Sequence, residues 1–148
     1  MSENKRLKGG ENYSLATIFS GENDKVVIPD LQRDYCWGNE DVNLVGPFID
    51  SLLELDKSKN LTMGLIYGYF DEICPNHLQL CDGQQRLTTL TILFSVLASN
   101  LTGKAREACN ALLQESGNIL AGIPARPRMH LRQRDQAFFN KYIQEVQI

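Results

Sequence analysis

Five consecutive residues, Asp82-Gly83-Gln84-Gln85-Arg86, put an acid, a glycine, two amides and a guanidinium between an apolar strand pattern (Leu78-Gln79-Leu80-Cys81) and an apolar helix pattern. A strand-to-helix turn by itself needs only a glycine and a capping side chain. The extra polar groups suit a ligand, and phosphate chemistry fits them. Gly83 can take a positive φ and lets a ligand reach the backbone. The following helix leaves its first N–H groups unpaired, with the positive end of its dipole at the turn. Arg86 offers a planar fork of donors for phosphate oxygens. Gln84 and Gln85 can donate to those oxygens or orient a water, and Thr88 and Thr89 lie in the first helical turn. Asp82 is the one acid here, suited to holding Mg²⁺ or to taking a proton from attacking water. The plain structural alternative is that Asp82 caps the helix and Arg86 pairs with it. That explains the acid but not two glutamines beside an arginine.

A second Gln-Arg pair lies in Pro29-Asp30-Leu31-Gln32-Arg33-Asp34-Tyr35-Cys36-Trp37, again just after a strand pattern. Two such pairs at strand ends can converge on one anion. Tyr35 and Trp37 can stack on a base or line a pocket wall, although a core role is the simpler reading of Trp37. A third constellation puts Arg126, Arg128, His130, Arg132 and Arg134 at alternate positions. In an extended chain these five share one face, a ridge that could contact nucleic-acid phosphates or a nucleotide's tail. A solvated, charged edge strand would look the same.

The elements that must position these groups are legible from periodicity. Ser14 can cap a short helix through Leu15, Ile18 and Phe19, ended by Ser20-Gly21. Val26-Val27-Ile28 reads as a buried strand stopped by Pro29. Val42 to Leu53 has helical spacing, with Pro47 best placed in the first turn of a helix entered through Gly46. A strand over 61–70, a turn at 71–76 and a strand over 77–81 form a hairpin. The helix through Leu87, Leu90, Phe94, Leu97 and Leu101 is expected to stop at Gly103, and a second to run over 104–115. Residues 120–127 read as loop and 129–131 as a brief strand. A last helix carries Phe138, Phe139, Tyr142, Ile143 and Val146 on one face, and its pattern stops without a cap. Residues 1–12 are expected to be a flexible N-terminus, and 13–148 one α+β domain, a mixed short sheet packed with several helices, truncated at its C-terminal end.

With 148 residues, 43% hydrophobic and 22% charged, the chain has the makings of one domain with a real core. A net charge of −3 excludes a polycationic nucleic-acid clamp, so any DNA contact must be a local patch. No membrane span or secretory signal is visible. Four irregularly spaced cysteines then fit free thiols in the cytoplasm. A metal reading of Cys74, His77 and Cys81 lacks a second ligand pair. There is no G-x-x-x-x-G-K-[ST] or G-x-G-x-x-G loop, and no hydrolase triad or nuclease motif.

Two motifs carry a family resemblance. Ile28-Pro29-Asp30-Leu31-Gln32-Arg33-Asp34-Tyr35-Cys36-Trp37 resembles an I-P-x-x-Q-R-x-Y-x-W signature, and Asp82 to Leu90 resembles D-G-Q-Q-R-L-T-T-L. Met63-Gly64-Leu65-Ile66 and Pro127-Arg128-Met129 are similar to further segments of the same family. That family is the ParB/sulfiredoxin-like NTPase domain of GmrSD-type, modification-dependent restriction proteins. The resemblance implies a small α+β domain that binds and hydrolyses a nucleoside triphosphate, expected with Mg²⁺. It implies a hydrolytic centre of Asp82, Gln84, Gln85 and Arg86, with Asp82 at the metal and Gln32, Arg33 and Tyr35 completing the pocket. Gly83, Thr88 and Thr89 fall beside the same nucleotide. It also implies a nuclease, as a further domain on the C-terminal side of these residues or as a separate polypeptide, acting on DNA in phage defence. The alternative function is a non-catalytic DNA-sensing or protein-interaction module using Arg126, Arg128, Arg132 and Arg134.

Overall fold

Three short strands from distant parts of the chain lie side by side and parallel. β1 (Lys25–Val27) pairs with β3 (His77–Asp82), Val26 opposite Leu78, and on its other side with β6 (Met129–His130), Val26 opposite Met129. β2 (Tyr67–Phe70) adds antiparallel to β3, giving the order β2-β3-β1-β6. These relations come from a computed structural model, which describes residues 7–19, 25–39, 43–56 and 58–145. The mixed sheet with its helices is the expected α+β class.

Alternation along β3 turns Leu78 and Leu80 inward, where they meet Val26, Met129, Leu87 and Leu90 in the main core. Each such side chain, fully buried, contributes about 1.5–3 kcal/mol. Leu87 and Leu90 belong to the central helix α3 (Gln84–Asn100), which packs against α4 (Gly103–Leu113). α3 also buries polar residues, and two of the buried hydroxyls bond back one turn: Thr89 to Gln85 O and Thr91 to Leu87 O, at 2.9 and 2.8 Å. α1 (Leu15–Ile18) is capped by Ser14 Oγ, which accepts the Thr17 N–H, as expected. The expected stop at Ser20-Gly21 lies outside the described residues. α2 (Val45–Leu53) holds Pro47 in its first turn. Among the described residues no helix is long and apolar enough to cross a membrane.

Several boundaries differ from the sequence reading. The strand expected over 61–70 starts only at Tyr67, because Gly64 adopts φ +90° and turns the chain away from the sheet. Gly103 does not end α3 but opens α4, and the connection between the helices is the extended pair Leu101-Thr102. Residues 114–115 leave the helix as β4 (Gln114–Glu115), paired with β5 (Arg126–Pro127). The last helix, α5 (Gln133–Phe139), widens into a π-helical turn over Asn140–Gln144. That widening splits the expected apolar face. Phe139 is buried and Ile143 packs on the core, while Phe138 and Tyr142 are 65% and 58% exposed; Val146 lies outside the described residues. Gln144 takes an inward position instead. Its amide bonds both backbone groups of Met129, from N at 3.0 Å and to O at 2.7 Å, extending the sheet edge by one side chain.

Candidate functional site

Parallel pairing has a direct consequence for the three polar constellations. Each follows a strand, and β1, β3 and β6 point the same way, so 28–35, 83–88 and 131–135 emerge at one sheet edge. The carboxyl ends of parallel strands are a common place for ligand sites. Topology therefore brings the two segments together, with 131–135 joining them, but the Gln-Arg pairs do not converge as pairs: only Arg33 of the first and Gln85 of the second line the cavity at this edge, and the Arg86 guanidinium turns to other carbonyls.

At the first turn of α3, Gly83 is the N-cap at φ +90°, and a Cβ there would meet Ile66 Cγ1 at 3.1 Å. Gln84 and Gln85 are only 5% and 4% exposed. Gln85 clasps the loop after β1: its Nε2 donates to Asp34 O at 2.8 Å and its Oε1 accepts from Cys36 N at 2.9 Å. Between those points Tyr35 reaches Thr89 Oγ1 at 2.9 Å. Thr89's one hydrogen goes to Gln85 O, so Tyr35 is the donor. Gln84 Nε2 donates to Gln32 Oε1 at 3.3 Å, whereas Gln84 Oε1 is buried with no hydrogen-bond donor. Trp37 packs edge-on against Phe48, ring centroids 5.4 Å apart, in keeping with a packing role.

Arg86 and Asp82 do not pair, so the plain capping alternative does not describe this turn. The Arg86 guanidinium donates to Met63 O at 2.5 Å and to Leu65 O, gripping both sides of Gly64. Asp82 Oδ1 accepts the Gly83 N–H at 2.7 Å and its residue is exposed. Among the described residues no cluster of three or more His, Cys, Asp or Glu is arranged to hold a metal.

A cavity of about 380 Å³ opens at this edge, within the range of small-molecule sites. It is walled by Arg33, Asp34 and Tyr35 from the first loop, by Gln84, Gln85 and Thr88 from α3, and by Arg132, Arg134 and Asp135 at the start of α5. Phe138, Phe139, Ile92 and Ile143 supply apolar surface. Of the residues expected around a nucleotide, Gln32, Asp82, Gly83, Arg86 and Thr89 stand outside this lining; Gln32, Arg86 and Thr89 hold neighbouring parts in place through the bonds above.

The arginine ridge does not exist as one face. The chain over 126–134 passes from β5 through β6 into α5, in two different sheets and a helix. Arg126 stands in β5, and Arg128 Nε donates to Ala111 O at 2.9 Å near the end of α4. Arg132 and Arg134 instead converge on Asp34 Oδ1, and Arg132 Nη2 meets Asp135 Oδ2 at 2.6 Å. The two guanidiniums, Arg132 first, hold the Asp34 carboxyl below the usual carboxylate range. Asp34 and Asp135 are the site residues that sequence reasoning missed. Their signal was an acid adjoining each arginine motif, in Arg33-Asp34 and Arg134-Asp135. His130, fifth member of the expected ridge, has a buried Nε2 without a partner; burial, with Lys25 and His77 adding to it, holds its imidazole below the ordinary value.

The family model described as GmrSD restriction endonuclease, N-terminal domain, matches residues 15–148. The chain belongs to this family. A search of the curated proteins finds no match. As a GmrSD N-terminal domain, the chain is a component of a restriction endonuclease system, one whose nuclease portion acts on DNA. The segments 28–37 and 82–90 meet at the cavity, the first through Arg33 and Tyr35 and the second through Gln84, Gln85 and Thr88.

Proposed function

We propose that this GmrSD N-terminal domain binds a nucleoside triphosphate in the cavity at the carboxyl ends of β1, β3 and β6 and hydrolyses it, with turnover coupled to DNA sensing or cleavage by the nuclease portion of the system. One observation carries the reading. Three arginines from two separate segments, Arg33, Arg132 and Arg134, line the same cavity as Gln84, whose buried side-chain carbonyl oxygen has no donor. Guanidiniums match phosphate oxygens in charge and geometry, and a buried acceptor without a donor calls for an N–H, an O–H or a water brought by a ligand.

The residues divide the work. Arg33, Arg132 and Arg134 bind the phosphates. Gln84, in the cavity wall, orients the attacking water, and Asp82, two residues before it in the same turn but outside that wall, is the acid assigned to take its proton. Thr88 adds a hydroxyl to the wall. Tyr35 and Phe138 provide ring surface for the base. Gln85 and Arg86 act as positioning residues, one holding the first loop and the other the 63–65 connection. Mg²⁺ would come with the nucleotide, held by phosphate oxygens and Asp82, and would neutralise charge on the transferring phosphoryl group. Positioning and charge neutralisation carry most of phosphoryl-transfer catalysis, which suits a site rich in fixed arginines.

The test is a titration of the folded protein with ATP, GTP, CTP and UTP in Mg²⁺, followed by phosphate release, alongside Arg33→Ala. Saturable binding, weakened about tenfold in the variant, is the expected result. A folded protein that binds none of the four at millimolar concentration overturns the proposal.

A further inference from the structure

We propose that the Asp34 carboxylate is a built-in occupant of the phosphate position, displaced when a polyphosphate enters, so that Asp34 sets the affinity and the charge selectivity of the cavity. The inference rests on the nucleotide reading above and adds to it a residue that opposes binding.

Arg132 and Arg134 both engage one oxygen, Asp34 Oδ1. Two guanidiniums meeting at a single anionic oxygen is the arrangement a phosphoryl oxygen would receive. Arg132 is 13% exposed, and a sheltered guanidinium needs an anion at all times. Asp34 shares that part with Asp135 in the free protein and is the one that also engages Arg134 through the same oxygen. Its carboxylate is also free to leave. The backbone at Asp34 is pinned by Gln85 through the carbonyl, while the side chain is 63% exposed. Rotation about the side-chain bonds therefore clears the position without moving the loop. Asp135 still holds Arg132 Nη2 at 2.6 Å, so the arginine keeps its aim after Asp34 departs. Arg33 adjoins the latch and makes no ion pair among the described residues, leaving it to draw in the incoming anion.

Selectivity follows from the exchange. A singly or doubly charged anion gains little by replacing a carboxylate already in place. A triphosphate brings further charges to Arg33 and outcompetes it. Removing the carboxylate should tighten binding overall and narrow the preference for long phosphate chains.

The experiment measures the affinity of the folded chain for inorganic tripolyphosphate, pyrophosphate and the four nucleoside triphosphates, with Mg²⁺ and without it. Wild type is compared with Asp34→Asn, Asp34→Ala and Asp56→Asn; the last removes the same charge from a residue that does not line the cavity. The Asp34 variants should bind about three- to tenfold more tightly, and Asp56→Asn should match wild type. Pyrophosphate should gain more than tripolyphosphate. Wild-type binding with equal or weaker binding by both Asp34 variants refutes the latch and leaves the nucleotide site standing. Binding weakened only in Mg²⁺ also refutes it, and makes Asp34 a metal-side residue. If no form of the folded chain binds any of the probes, the nucleotide reading itself fails and the latch falls with it.

Discussion

Replacing Gln85 should loosen the cavity's first wall well before the fold is lost. Its side chain makes two hydrogen bonds to the backbone of the 34–36 loop, at 2.8 and 2.9 Å, from a position 4% exposed. Each net bond contributes about 1 kcal/mol, so Gln85→Met, which keeps the volume, should cost about 2 kcal/mol. Gln85→Ala adds an unfilled space and should cost about 3 kcal/mol. For a domain of this size each kcal/mol lowers the midpoint of thermal unfolding by about 2–4 °C, which gives drops of about 4–8 °C and 6–12 °C. Circular dichroism would follow the global transition. Trp37, the chain's single tryptophan, reports the loop itself, because its ring packs edge-on against Phe48 one residue beyond the clasped Cys36. The variants should show red-shifted Trp37 emission at temperatures where the circular dichroism remains native. Unchanged midpoints in both variants, with Trp37 emission unaltered, would refute the idea that this amide holds the loop.

The Arg86 grip should be as testable. Gly64→Ala puts a Cβ against Arg86 Nη1 at a φ of +90°, and a loss of about 2 kcal/mol in urea unfolding is expected. Arg86→Lys gives up the planar fork on the Met63 and Leu65 carbonyls and should cost about 1–3 kcal/mol; the double variant should lose less than the sum, since both changes break one contact. His130 predicts a pH dependence. Its folded value lies below the ordinary 6.5, so the stability linked to its neutral form is full above that pH and is lost as the pH falls through the folded value. The urea midpoint should therefore fall between about pH 8 and about pH 5, and less so in His130→Asn; equal falls in both proteins would show that other groups carry the effect.

The elements were legible where local chemistry decided them. Ser14 capped its helix, Pro47 fell in a first turn, and the 67–82 hairpin formed, because each depends on neighbours in sequence. Two of the errors lie where a distant partner overrode the local pattern. The apolar run from Leu61 reads as strand, yet Arg86 draws the carbonyls on both sides of Gly64 away from a sheet. The alternating basic residues from 126 to 134 read as one face, yet Asp34, about a hundred residues away, takes two of them and α4 takes a third. Around the cavity, residue types alone do not separate wall from support. Gln84 and Gln85 are adjacent and identical in type, but one leaves its carbonyl unpaired and the other bonds a loop through both ends of its amide. Only the fold distinguishes them.

The parallel edge that gathers the cavity also fixes when it can exist. Gln32 meets Gln84 across 52 residues and Arg132 across 100, so no one of the three segments contains even half of the walls. Each of those closures must be completed against chain entropy before the next wall has anything to meet. A ribosome adding residues at about 5–20 per second would finish β1, β3 and α3 before the arginines at the start of α5 were available. Occupancy of the cavity is thereby a readout of completed folding. Because a bound ligand would select only molecules with every segment in place, its stabilisation would be distributed: amide exchange should slow across β1, β3 and β6 together, and the domain would respond to its ligand as one cooperative unit.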